Sequence, residues 1–352
     1  MPPRSCRAKI AFGVLLVGVV GLARAAGDTL APAPPAPRWQ EVRSLRWDKE
    51  VRALVGPDTD YDYTWWRYAL DPAGRYLWVL APRGRCRDEE RGVVMRIPLT
   101  GDSTAPLQIS VPYRRGRERW DLEAISCDEQ GRVWVCQVNR RDMWTPKRPR
   151  VRHRLLVFEV DGRFLGTRRR FTNSHEVIGD FAVTPRGTLF LEAVDPFEYG
   201  NVTYLSCLDK SGKVRWSTRG VFAGYPTLWV VGEKAYVSRN SQVEYVSADI
   251  PPQWERGNWP TGAFVGLGPG GNQVREDVGS ITYVSPVGGM LDRIPVPPEA
   301  MREGHELGWE RYVFLSREGA VFALAPWDSK AFRVWRLDRR GAPTSAPASS
   351  CG

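Results

Sequence analysis

WDLEAISCDEQGRVWVCQVN, residues 120 to 139, sets an apolar run, a short polar turn and a second run against one another. Asp128-Glu129-Gln130-Gly131 reads as the turn, with glycine where the backbone needs a positive φ. RVWVC then alternates aromatic and β-branched residues with period two, the mark of a half-buried strand. The same grammar returns in ALDPAGRYLWVLA from Ala69, AVTPRGTLFLEA from Ala182 and FLSREGAVFALA from Phe314. Two looser copies, LWVVGEKAYVS from Leu228 and FVGLGPGGNQVREDVGSITYVS from Phe264, fill the gap between them. The turn glycines Gly74, Gly131, Gly187, Gly232, Gly271 and Gly319 are 57, 56, 45, 39 and 48 residues apart.

Most copies are followed by a second hairpin, clearest in LLVFEVDGRFLGTRR from Leu155, YLSCLDKSGKVRWSTR from Tyr204 and YVSPVGGMLDRIPVP from Tyr283. Two hairpins every ~40–50 residues make a four-stranded sheet, and a sheet repeated at that period signals a β-propeller. The expectation is all-β: six antiparallel blades of four strands. Trp78, Trp134, Phe190, Tyr236, Tyr283 and Phe322 fall at or near the matching second-strand position and are expected as wedges between blades. Ring closure is expected from Arg38 to Trp47 lying beside the last strand, Phe332 to Leu337, which hides an edge otherwise open to pairing.

The second repeat, DLEAISCDEQGRVWVCQVNRR followed by HRLLVFEVDGRFL, resembles the NHL-type repeat. That family stands beside the gluconolactonase-like and streptogramin-lyase-like propellers. WDLEAI also resembles the opening of the phytase-like esterase propellers, with Ala124 where those have glycine. The resemblance implies a six-bladed ring. It also implies, for the enzymes among these families, a divalent metal at the mouth of the channel. A propeller by itself specifies no chemistry.

The ends read differently. Arg4, Arg7 and Lys9 precede the apolar run Ile10 to Leu22, and Ala23-Arg24-Ala25 follows it, which is the pattern of a cleaved export signal over residues 1–25. The run is short for a membrane span of ~20 residues, so an uncleaved anchor is the lesser expectation. Residues 26–37 form a proline-rich linker, 38–340 the propeller and 341–352 a small-residue tail. The four basic residues before Ala26, with no acid among them, take the net charge from +10 to +6 after cleavage. KRPRVRHR (Lys147 to Arg154) is the one dense basic run, read as a solvated loop or as a contact for an anionic partner. No nucleic-acid motif is present. Five cysteines remain after the signal, Cys86, Cys127, Cys136, Cys207 and Cys351, so at least one is unpaired. A turn at Asp128 to Gly131 is expected to set Cys127 opposite Arg132 and Cys136 opposite Glu123, which keeps the two cysteines from facing each other.

Candidate chemistry collects where each blade's first strand begins. Asp121 and Glu123 stand at alternate positions of such a strand, aimed at the channel, with Asp180 at the corresponding place in blade three. Oxygen ligands on rigid strands suit Ca²⁺ or Mg²⁺; paired arginines or hydration would satisfy the same acids. His175-Glu176 and His305-Glu306 precede the first strands of blades three and six, and a histidine tuned by a carboxylate can serve as base or metal ligand. Trp144, Trp254 and Trp259 lie in irregular Trp- and Arg-containing segments suited to stacking on sugars or on a protein partner. No GxSxG, HExxH or phosphate-binding glycine loop is present. The leading expectation is an exported, monomeric binding module of the bacterial envelope, secreted or periplasmic, whose partner is a protein or glycan. The alternative is a divalent-metal-dependent hydrolase or lyase using the channel mouth.

Overall fold

In the computed structural model, residues 37–55, 66–81, 91–100, 105–112, 114–115, 118–142, 150–173, 177–195, 202–221, 228–239, 242–251, 263–277, 279–300, 312–325 and 331–338 are described. They form six antiparallel blade sheets and a two-stranded ribbon, Arg114–Arg115 with Glu118–Arg119. Blade 1 takes Arg67–Leu70, Tyr76–Ala81, Arg91–Pro98 and Leu107–Pro112. Blade 2 takes Asp121–Cys127, Val133–Asp142, Arg150–Phe158 and Phe164–Asn173. Blade 3 takes Val177–Val183, Leu189–Asp195, Val202–Leu208 and Val214–Val221. Blade 4 contributes Leu228–Val231, Lys234–Arg239 and Gln242–Val246 among the described residues. Blade 5 takes Ala263–Leu267, Gln273–Asp277, Ser280–Val284 and Met290–Pro295. Blade 6 takes Val313–Leu315, Val321–Ala325 and Ala331–Asp338, and receives its fourth strand, Arg38–Arg46, from the other end of the chain. The six-bladed β-propeller is thus the architecture of the chain, as the repeat and the NHL-type, gluconolactonase-like resemblance implied.

Closure follows the expected route. Arg38–Arg46 runs antiparallel to Ala331–Asp338, with Arg38 opposite Asp338 and Arg46 opposite Ala331. Trp39 reaches beyond its own blade, donating its indole N–H to the carbonyl of Pro295 at 2.7 Å. All six turn glycines adopt positive φ, from 59° at Gly232 to 86° at Gly187 and Gly319. An alanine at Gly131 would also bring its Cβ within 3.1 Å of a carboxylate oxygen of Asp71 in the neighbouring blade.

The core is not one mass but a ring of interfaces. Trp78 packs with Leu122, Ile125, Val133 and Val135 between blades 1 and 2. Trp134 packs with Phe181, Leu189 and Leu191 between blades 2 and 3, and Phe190 with Ala235, Val237 and Val246 between blades 3 and 4. Phe322 joins Leu77, Val79 and Val93 between blades 6 and 1. Between blades 4 and 5 the wedge is Trp229, whose ring lies so close to Gly266 that a Cβ there would be 2.7 Å from it. Tyr283 is buried as expected but sits on the third strand of blade 5, opposite Val274. The long turn Gly268–Asn272 consumes the residues that a shorter hairpin would have given to the second strand.

Two sequence expectations need correction. Cys127 stands opposite Val133 and Cys136 opposite Ala124. Asp128 and Arg132 close the turn themselves, and a bulge between Leu122 and Ala124 absorbs one residue. The basic run is also no loop beyond its start, because Arg150–Phe158 is the third strand of blade 2. Its alternate residues Val151, His153, Leu155 and Val157 are buried, and Arg154 is buried on the opposite face, over the ring of Trp120 at 4.3 Å.

Candidate functional site

The innermost strands surround the axis, and a cavity of about 110 Å³ lies between those of blades 1, 2, 3, 4 and 6. Its aromatic lining is Tyr68, Phe181, Trp229 and Phe314, of which Phe181 and Phe314 are buried; its polar lining includes Ser126, Asp128, Glu129, Asp180 and Arg317. Blade 5 stays out of the lining because Trp229 leans over Gly266 and occupies that sector. Each wall residue is held on or beside a strand, so the cavity has rigid sides.

Three innermost strands carry a bulge near their starts: between Leu122 and Ala124, between Ile178 and Asp180, and between Phe264 and Gly266. A bulge inserts an unpaired residue and re-aims the side chains around it. Glu123 is that residue in blade 2, and the expectation that it faces the channel is not met. Its Oε2 lies 3.3 Å from Nε2 of His153 on the third strand, with the two side chains 3% and 0% exposed. His153 sat unremarked in the basic run, and nothing in its sequence neighbours named Glu123 as its partner. Asp121 stands opposite Val138, half-buried. Asp180 is the one metal candidate of the sequence reading that lines the cavity, and its Oδ1 accepts the N–H of Phe181 at 2.8 Å.

Among the described residues, no group of three or more His, Cys, Asp or Glu side chains is arranged to hold a metal ion. His175, Glu176, His305, Glu306, Trp144, Trp254 and Trp259 lie outside the described residues, so the assembled mouth site is not among the features described.

The turn end of the cavity carries carboxylates that the sequence reading had left as turn residues. Asp128 is fully engaged: Oδ1 accepts the N–H groups of Gln130 and Arg132 at 2.9 and 3.0 Å, and Oδ2 accepts Nε of Arg132 at 2.7 Å and the Trp134 indole at 2.9 Å. In blade 1, Asp71 Oδ2 takes both the backbone N–H and Nε of Arg75 at 3.2 Å, and that bond raises the Arg75 guanidinium above its ordinary value. Between these acids lies Cys127, in the cavity wall. Burial, and then the charges of Asp71 and Asp128, push its thiol well above 9.0. A thiol so placed stays protonated and is a poor nucleophile. The arrangement therefore offers two half-buried aromatic rings, Tyr68 and Trp229, the carboxylates of Asp128, Glu129 and Asp180, and hydrogen-bonding groups.

No protein-family profile and no curated protein sequence matches the chain. Among solved structures it is similar to a luciferin-regenerating enzyme, at 12% identity and TM-score 0.49 over 86% of this chain and 95% of that one. It is also similar to regucalcin, a calcium-binding protein from Agrobacterium tumefaciens, at 12% identity and TM-score 0.43 over 78% and 90%. BamB from Moraxella catarrhalis is similar at 11% identity and TM-score 0.39 over 87% and 100%. At this distance the likenesses carry no argument about binding or catalysis.

Proposed function

We propose that this propeller is an exported binding module of the cell envelope that takes a small ligand, or a projecting group of a protein or glycan partner, in its axial cavity. The observation that supports this most directly is the cavity itself: aromatic side chains and the carboxylates of Glu129 and Asp180 converge on it from different blades, on rigid strands and turns. At about 110 Å³ it is smaller than the ~300–1,000 Å³ of sites for drug-sized ligands, and it suits one ring or one side chain. Export rests on the basic, apolar and Ala-x-Ala pattern of residues 1–25. Among the described residues no helix is long and apolar enough to cross a membrane.

The test is a thermal-shift and tryptophan-fluorescence titration of the purified mature chain with N-acetylglucosamine, other envelope sugars and short peptides. A ligand at a hundred times its Kd stabilises the fold by about 2.7 kcal/mol, a readily measured rise in Tm. Trp229→Ala and Asp180→Asn are expected to abolish that rise. A flat response across the panel would count against the cavity as the binding site. Asp180 in the cavity wall keeps the second reading, a Ca²⁺- or Mg²⁺-dependent hydrolase or lyase, in play. Stoichiometric Ca²⁺ binding that Asp180→Asn removes, together with lactone hydrolysis, would replace the first reading with the second.

A further inference from the structure

Three turns meet at one end of the channel. They connect the innermost and second strands of blades 2, 4 and 6. Glu129 Oε1 in the blade 2 turn lies 2.5 Å from Nη2 of Arg317 in the blade 6 turn. The same oxygen accepts the N–H of Gly232 in the blade 4 turn at 2.7 Å. Arg317 Nη2 completes the triangle by donating to the carbonyl of Val230, also in blade 4, at 2.8 Å. Blades 2, 4 and 6 alternate around the ring, so groups from their turns can reach hydrogen-bonding distance of one another only across the axis. Glu129, Val230 and Arg317 all line the cavity as well, and so form its floor.

Two corners of the triangle, the turns of blades 6 and 4, are anchored to neighbouring blades. The backbone N–H of Arg317 donates to the carbonyl of Pro72 in blade 1 at 2.8 Å. Gly319, in the same turn, sits against Pro269 of blade 5, where a Cβ would come within 2.5 Å of the proline ring. Glu233, next to Gly232, accepts Oγ1 of Thr184 at 2.7 Å and the N–H of Arg186 at 2.9 Å, both in blade 3. An exposed ion pair is by itself worth little. This one differs in place: the Glu129 and Arg317 side chains are 20% and 35% exposed, and their contacts span the opening instead of running along one strand.

We infer that Glu129 and Arg317 form a polar gate that closes the turn-side end of the channel, making the axial cavity a blind pocket instead of a through-passage. The gate can open without unfolding a blade, because its bonds are made by two side chains. The arginine supplies charge and a planar set of donors that can bond the carboxylate and a carbonyl together, which lysine's point charge does less well.

Cys127 reports on the pocket from within, next in sequence to Asp128 and Glu129. In the full chain with Cys6, Cys86 and Cys351 replaced by serine, Cys136 and Cys207 remain but are 0% exposed. Labelling of Cys127 by a small methanethiosulfonate at fixed pH, followed by mass spectrometry, then measures access without any ligand present. Failure of the gate is therefore separable from failure of the proposed binding function. Glu129→Gln and Arg317→Gln are each expected to speed labelling about tenfold, equivalent to ~1.4 kcal/mol in the open population, with melting little changed. Arg317→Lys, a milder break for use if the others fold poorly, is expected to fall between. The charge swap Glu129→Arg with Arg317→Glu is expected to slow labelling again. If the single variants react at the wild-type rate at the same pH, the gate is overturned.

Discussion

Glu123 occupies the extra position of a bulge, and its carboxylate lies 3.3 Å from His153 with both side chains withdrawn from water. Removing one partner of such a pair leaves the other's polar group buried without it, which costs about 1–3 kcal/mol. Glu123→Ala is therefore expected to lower unfolding stability by roughly 2 kcal/mol in urea, whereas Asp121→Ala, half-buried and opposite Val138, is expected to change it far less. Equal effects from the two would show that the bulge does not distinguish them. Cys127 supplies a pH signature. Its thiol is raised above 9.0 by burial and by Asp71 and Asp128, so the unfolded chain releases this proton at lower pH than the folded one. The group's contribution is whole below pH 9.0 and is lost as pH rises beyond it. Stability measured between about pH 8 and pH 10 should fall less steeply in Cys127→Ser than in wild type.

The hairpin is the unit in which the interfaces are built. Trp78 is 0% exposed on the second strand of blade 1 and enters the core shared with blade 2. Trp78→Ala should cost about 3–5 kcal/mol, as for large buried aromatics elsewhere, measured by chemical denaturation. Gly266 makes the opposite kind of demand. Its backbone is ordinary, but Trp229 fills the space a Cβ would need. Gly266→Ala is expected to displace Trp229, with a shift in its fluorescence and a loss of about 1–3 kcal/mol from overpacking. A silent spectrum would mean that another side chain makes the blade 4–5 contact. Arg275, buried in the second strand of blade 5, shows how far an interface tolerates charge: burial lowers its guanidinium to about 10 while Gln273 accepts its Nε and Nη2.

In the whole molecule, closure couples the chain's two ends. Arg38–Arg46 covers the edge of Ala331–Asp338, and Trp39 binds the carbonyl of Pro295. Deleting residues 38–47 should expose that edge and lower the melting temperature of the entire ring, not of blade 6 alone, because each blade shares its core with the next. A permuted chain tests the reason. With Arg38 opposite Asp338, residues 38–46 can follow residue 338 through a two-residue Asn-Gly turn, the natural hairpin link. That chain is expected to recover a single cooperative transition near the wild-type Tm. If it melts like the deletion, covalent order and not edge pairing stabilises the ring.

What the sequence settles by itself is whatever lies within one hairpin. The glycine at each turn, the alternation in RVWVC and the spacing between turns are local requirements of φ and of a two-residue period, so blade number was legible from residues alone, and closure followed from it as the pairing that hides the last open edge. The bulges were not, since an extra residue in a strand leaves no mark in an alternating pattern until its partner strand is in place. With Glu123 at such a position, its meeting with His153 depended on a third strand about thirty residues on. The floor of the cavity was further out of reach. Glu129, Gly232 and Arg317 each read as ordinary residues of exposed turns, and turn residues are chosen for backbone geometry. Only closing the ring brings alternate turns together on the axis, where charges far apart in sequence become one triangle.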